Sequence, residues 1–158
     1  MTITNRQLRV KFLSPEIWHY FKRKLPEVPP REVRARIEEC LKFLNMAVYC
    51  RGNIPVSQEI DDIWHYWILE TMEYQRLCQG LTGRRFIHHN SNDYQEYRGK
   101  RISSRKNPLE WEVAMLSAYV MNYGPFKQDR VKYWRLADYL VTKRGWSLEQ
   151  LNNWLRSE

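Results

Sequence analysis

The chain holds no run of about 18 apolar residues, so nothing in it reads as a membrane-spanning helix. Its first residues, Met1-Thr-Ile-Thr-Asn-Arg, lack the apolar stretch of a signal peptide, and the expectation is a cytoplasmic protein with no membrane partner. Cysteine is scarce: Cys40, Cys50 and Cys78 are an odd number without CxxC spacing. That argues against both a disulfide framework and a zinc ribbon, and leaves three reduced thiols on predicted helices. No serine stands in a Gly-x-Ser-x-Gly context, which weakens nucleophilic catalysis. P-loop, zinc-finger, RNP and KH patterns are missing too. There is no internal repeat, low-complexity tract or linker, so residues 1–158 read as one domain. Alternating apolar stretches are few, and the predicted class is all-α.

Negative charge is in short supply as well: 18 acidic residues face 26 basic ones, a net +8. The imbalance is uneven. Residues 56–76 carry five acidic residues against one basic, a local −4. Residues 81–107 carry seven basic against two acidic, a local +5, and residues 20–36 six against two, a local +4. A basic surface attracts nucleic acid or an acidic protein, and it also keeps a protein in solution. Aromatics are abundant, with seven Trp, ten Tyr and five Phe. A chain of 158 residues can bury close to about 70% of its unfolded surface, so the core should be aromatic-rich.

Helical periodicity and end signals divide the chain into about six helices. Residues 1–13 read as an extended arm or short strand. Ser14-Pro15 opens a helix with Ile17, Trp18, Phe21 and Leu25 on its apolar face. Prolines 26, 29 and 30 lead into a second helix, 31–50, closed by Gly52. A third spans 57–79. Asn107-Pro108 starts a fourth, to Tyr123, with Leu109 and Leu116 facing inward, and Gly124-Pro125 ends it. A fifth spans 128–143, stopped by Gly145. Ser147-Leu-Glu-Gln150 is a capping box for the last. Residues 80–107, rich in Gly, Asn, Ser and Arg, read as a long basic loop, and loops of that length are usually functional or mobile.

The third helix organises the rest. Ser57 is its predicted cap, and Glu59, Asp61 and Asp62 sit where the helix dipole favours carboxylates. Asp61 and His65 are four apart and share a side of the helix, at the edge of an apolar stripe. The loop supplies His88 and His89, so three of the four histidines belong to this stretch. Asp61, His65, His89 and His88 are therefore candidate ligands for a divalent metal, zinc or iron, provided the loop folds back over the helix. The other reading has His65 bonded to Asp61 or a backbone carbonyl at the core edge, with both loop histidines facing water. Trp64 and Trp67 are candidates to stack on a ligand, although their spacing places them in the core first.

Asp61-x-x-Trp64-His65, Tyr74, Gly83, Ile87-His88-His89, Tyr123-Gly124 and Trp134 resemble the signature of a domain of unknown function. It is found in plant glycine-rich domain-containing proteins and shorter bacterial relatives. The match spans about 55–135. Many relatives carry a second histidine where this chain has Trp67, and often acidic residues where it has Asn90-Ser-Asn-Asp93. The resemblance implies a helical fold and a site at Asp61, His65 and His89, but no settled activity.

The basic loop is the best nucleic-acid candidate. Arg84, Arg85, Arg98, Lys100, Arg101, Arg105 and Lys106 can contact phosphates, and Phe86, His88, Tyr94 and Tyr97 are interleaved among them to stack on bases. The functional expectation is a small binding module with a His/Asp pocket for a divalent metal and a basic rim for an anionic partner. The alternative is a metal-dependent hydrolase using the same pocket, in which the metal and the Asp61–His65 pair activate water.

Overall fold

The computed structural model describes residues 1–47, 54–88 and 108–158. The chain is all-α. Among the described residues there are eight α-helices and no strand: α1 Asn5–Phe12, α2 Pro15–Lys24, α3 Pro30–Met46, α4 Gln58–Leu69, α5 Thr71–Gly80, α6 Pro108–Tyr123, α7 Arg135–Thr142 and α8 Leu148–Ser157. A 3-10 turn, Val131–Tyr133, precedes α7. None of the described helices is long and apolar enough to cross a membrane. Cys50, the end of the expected 31–50 helix and residues 89–107 of the expected loop lie outside the described residues.

Local capping explains several boundaries. Ser14 Oγ accepts the Ile17 amide at 3.2 Å and Pro15 takes the first helical position of α2. Ser147 and Gln150 form the expected capping box of α8. Gly124 and Gly145, with φ of +91° and +71°, adopt the left-handed backbone that ends α6 and α7.

Four expectations are corrected. Residues 1–13 are not an extended arm: Thr4 and Gln7 cap each other's backbone reciprocally and start α1. The 57–79 helix is broken at Glu70 (φ −91°, ψ 75°) into α4 and α5. The 128–143 helix begins only at Arg135, because Trp134 is extended and bridges Val56 antiparallel, with Arg135 N donating to the Pro55 carbonyl and Ser57 N to that of Tyr133. Leu109, expected inside, is 51% exposed on the first turn of α6, ahead of the buried Met115 and Leu116.

One buried apolar cluster draws residues from all eight helices. α3 lies at its centre, against α1, α2, α4 and α6. From Ile37 to Leu44 every one of its residues is buried, so this stretch is enclosed on all sides. Phe43 meets Trp64 edge-on at 5.4 Å and Trp134 at 6.4 Å, and Phe21 of α2 meets Trp67 at 5.2 Å. The aromatic excess is thus largely core, where such pairs add about 0.5–1.5 kcal/mol each beyond burial.

Candidate functional site

Asp61 is half-buried on α4, and His65 is exposed on the same helix. The bend at Glu70 then decides what faces them. Ten residues of unbroken helix would separate Trp64 from Tyr74 by about 15 Å along the axis. With the bend, Trp64 Nε1 donates to the Tyr74 hydroxyl at 2.9 Å. Tyr74 in turn donates to the Ile87 carbonyl. Burial pushes the Tyr74 hydroxyl well above its usual pKa, so it stays a donor.

That chain of bonds brings residues 81–88 back onto α4 and α5. Phe86 stands edge-on to Tyr74 at 5.2 Å, and the exposed His88 ring lies 5.1 Å from Phe86. The segment is pinned at its start as well: the Thr82 amide and hydroxyl both donate to Asn45 Oδ1, at 3.0 and 2.9 Å. Residues 81–88, the described part of the expected loop, therefore lie against Tyr74 and the Trp64 side of α4. Even so, no group of three or more His, Cys, Asp or Glu side chains that could hold a metal comes together among the described residues. His89, the third expected ligand, lies outside them.

Trp64 and Trp67 are core residues, 4% and 1% exposed. Both cysteines that are described, Cys40 and Cys78, are buried, and burial raises the Cys40 thiol far above its ordinary pKa, consistent with an inert core thiol. Arg84 and Arg85 are exposed, in a turn where Gly83 and Arg84 have φ of +90° and +47°. Arg84 and Lys11 of α1 border a recess of about 470 Å³ that has no carboxylate in its described lining. Arg98, Lys100, Arg101, Arg105 and Lys106 lie outside the described residues.

The structure also holds an arrangement that sequence reasoning missed. Glu38 and Glu39, on the buried stretch of α3, are 1% and 0% exposed. Glu39 is fully satisfied: Oε2 accepts from Lys42 Nζ at 2.7 Å and Arg130 Nη1 at 3.0 Å. Oε1 accepts from the Tyr119 hydroxyl at 2.7 Å and Trp134 Nε1 at 3.1 Å. Arg130 Nη2 reaches Glu38 Oε1 at 2.8 Å, and Arg9 Nη1 holds the other Glu38 oxygen. Burial lowers the Lys42 pKa, with Glu39 working against it. For Arg130 burial also acts downward, but Glu39 and Glu38 outweigh it and hold the guanidinium above its ordinary value. The sequence signal was indirect: Glu39 and Lys42 sit at helical spacing where Cys40, Leu41, Phe43 and Leu44 crowd the helix with apolar residues.

No family model matches the chain, and neither a curated protein nor a solved structure matches it.

Proposed function

We propose that the chain is a small cytoplasmic binding module that takes single-stranded nucleic acid along its basic segment 80–107. The observation that carries this reading is the recess at the root of that segment. Lys11 and Arg84 border it without a described carboxylate to neutralise them. Next along the chain Arg85 is exposed and Phe86 is 51% exposed, the pairing of cation and open aromatic ring that an unpaired base uses. An acidic protein would use the cations and leave the ring idle, which favours nucleic acid. The aromatic and basic residues that follow, Tyr94, Tyr97, Arg98, Lys100, Arg101, Arg105 and Lys106, continue the same composition. The likeness to glycine-rich domain-containing proteins rests on the motif residues and adds no activity to this reading.

The test is the salt dependence of binding to a fluorescent single-stranded oligonucleotide. Affinity should fall steeply with salt, and neutralising Arg98, Lys100 and Arg101 should flatten the log–log slope by about 0.7 per contact removed. No saturable binding at low salt, or an unchanged slope, rejects the proposal. Elemental analysis of the purified chain tests the metal-dependent hydrolase reading separately. Stoichiometric zinc or iron, lost in His65→Ala and His89→Ala, would bring that reading forward.

A further inference from the structure

A second recess, about 450 Å³, opens between the start of α1, the Tyr119–Tyr123 end of α6 and the 125–130 connection. Its charged lining is Arg6, Arg9, Lys42, Lys127 and Arg130, with Asp129 the one carboxylate. The buried Glu38 and Glu39 lie directly behind this wall, bonded to three of those cations.

The pairing of these charges is what defines the ligand. Arg9, Lys42 and Arg130 are matched by Glu38, Glu39 and Asp129: Arg130 Nε reaches Asp129 Oδ2 at 3.3 Å, and the other contacts are those given above. Three cations against three carboxylates make a neutral floor. Arg6 and Lys127 are left over, with no carboxylate partner among the described residues, so the recess carries a surplus of two positive charges. The floor also keeps donors to spare. Lys42 Nζ, on a residue 5% exposed, has three N–H groups; two have hydrogen-bond acceptors, Glu39 and the Tyr119 hydroxyl, and the ammonium otherwise lies only over the Tyr119 and Tyr123 rings, at 5.0 and 5.7 Å from their centres. Tyr123 accepts from Asn45 Nδ2 at 3.0 Å and retains its own O–H to donate. The end of α1 plays no necessary part, since Thr4 and Gln7 already cap it.

A compact dianion rich in acceptor oxygens satisfies both the surplus charge and the spare donors. We propose that this recess is a binding site for a phosphate group, free or as a small phosphate monoester, held by Arg6, Lys127, Lys42 and Tyr123. A phosphate monoester carries close to two negative charges near neutral pH and three strong acceptor oxygens. The volume falls within the range of small-ligand pockets and leaves room beyond the phosphate for an organic substituent. The proposal does not rest on nucleic-acid binding: Lys11 and Arg84 border the other recess, and Ile3 is the residue shared between the two.

The test titrates the full chain at constant ionic strength with inorganic phosphate, glycerol phosphate and succinate, followed by backbone amide shifts and calorimetry. Saturable shifts confined to residues 2–9, Lys42 with its immediate neighbours, and 119–130 are expected, with succinate the weakest. Tighter binding of glycerol phosphate assigns the site to a monoester, and tighter binding of inorganic phosphate assigns it to the free ion. Arg6→Ala and Lys127→Ala, both at exposed positions, should each weaken phosphate by about tenfold, the scale of one charge-assisted hydrogen bond. Lys11→Ala should leave phosphate binding unchanged. Shifts that never saturate, succinate binding as tightly as phosphate, or Arg6→Ala and Lys127→Ala proteins of unchanged stability and unchanged affinity would overturn the proposal.

Discussion

The Tyr119 hydroxyl donates to Glu39 Oε1 at 2.7 Å across 80 residues of sequence, joining α6 to the enclosed middle of α3. Because Trp134 Nε1 shares that oxygen and Lys42 and Arg130 share the other, one carboxylate gathers four separate groups. Removing its charge leaves two cations and two neutral donors badly matched around a buried side chain. Glu39→Gln should therefore destabilise the protein by about 3–5 kcal/mol, the usual result of breaking a buried ionic arrangement from one side. Urea unfolding reads it directly, and a change below about 0.5 kcal/mol would mean that water reaches the cluster.

Alkaline pH should loosen the fold. Burial, the largest cause in each case, raises Cys40 above its ordinary 9.0 and Tyr74, Tyr119 and Tyr123 above 10.0. A group whose pKa is raised by folding supports the native state below its unfolded value. That support is lost as pH climbs, since the unfolded chain gives up its proton first. Lys42 acts in the opposite sense: its pKa is lowered from 10.5, so the native state sheds that proton early and gains with rising pH. Burial raises Tyr20 as well, so five groups act against the native state and Lys42 alone acts for it. The urea midpoint should hold to about pH 9 and then fall steadily. A midpoint unchanged to about pH 11 would contradict the burial of these hydroxyls.

What could be read from the chain was mostly what a few neighbouring residues decide. Ser14-Pro15, Ser147…Gln150, Gly124 and Gly145 act within a turn of themselves, and each did as expected. The same chemistry at Thr4…Gln7 is masked because Leu8, Val10 and Phe12 alternate as a strand would, and only Leu8 is fully buried. The break at Glu70 has no proline or glycine to announce it, and it is what lets Trp64 reach Tyr74. Motif residues Trp64, Tyr74 and Ile87 do meet, through hydrogen bonds that hold residues 81–88. The charged cluster was hidden for a stronger reason. Arg9, Glu38, Lys42 and Arg130 come from three distant segments, and each alone looks like an ordinary surface residue.

Tyr74→Phe should release residues 81–88 while leaving the core filled. The ring keeps its packing, but the buried Trp64 Nε1 loses its acceptor and the Ile87 carbonyl its donor. The loss should be about 1–3 kcal/mol, the range for a buried partner left unmatched. Arg84 and Arg85 are exposed, so trypsin provides the local readout: cleavage there should quicken in the variant. An unchanged cleavage rate would mean that Thr82 and Asn45 hold the segment alone.

Asn152 holds the connection that carries Lys127 and Arg130. Its Oδ1 accepts the Phe126 amide at 2.7 Å and its Nδ2 donates to the Phe126 carbonyl at 3.1 Å, a two-point match between a side-chain amide and one residue's backbone. Both residues are buried, so water cannot readily replace either bond. Phe126 in turn stacks on Tyr119 at 4.0 Å, which ties this pairing to the Glu39 cluster. Asn152→Ala orphans a buried N–H and a buried C=O together and should cost about 2–4 kcal/mol. Asn152→Asp preserves the acceptor but sets a carboxylate oxygen against the Phe126 carbonyl. Protonation restores a donor there, so the Asp substitution should approach the parent at acid pH and fall away from it as the carboxyl ionises. Stability curves for the two substitutions against pH separate these effects. Parallel curves would show that only the acceptor half of the pairing matters.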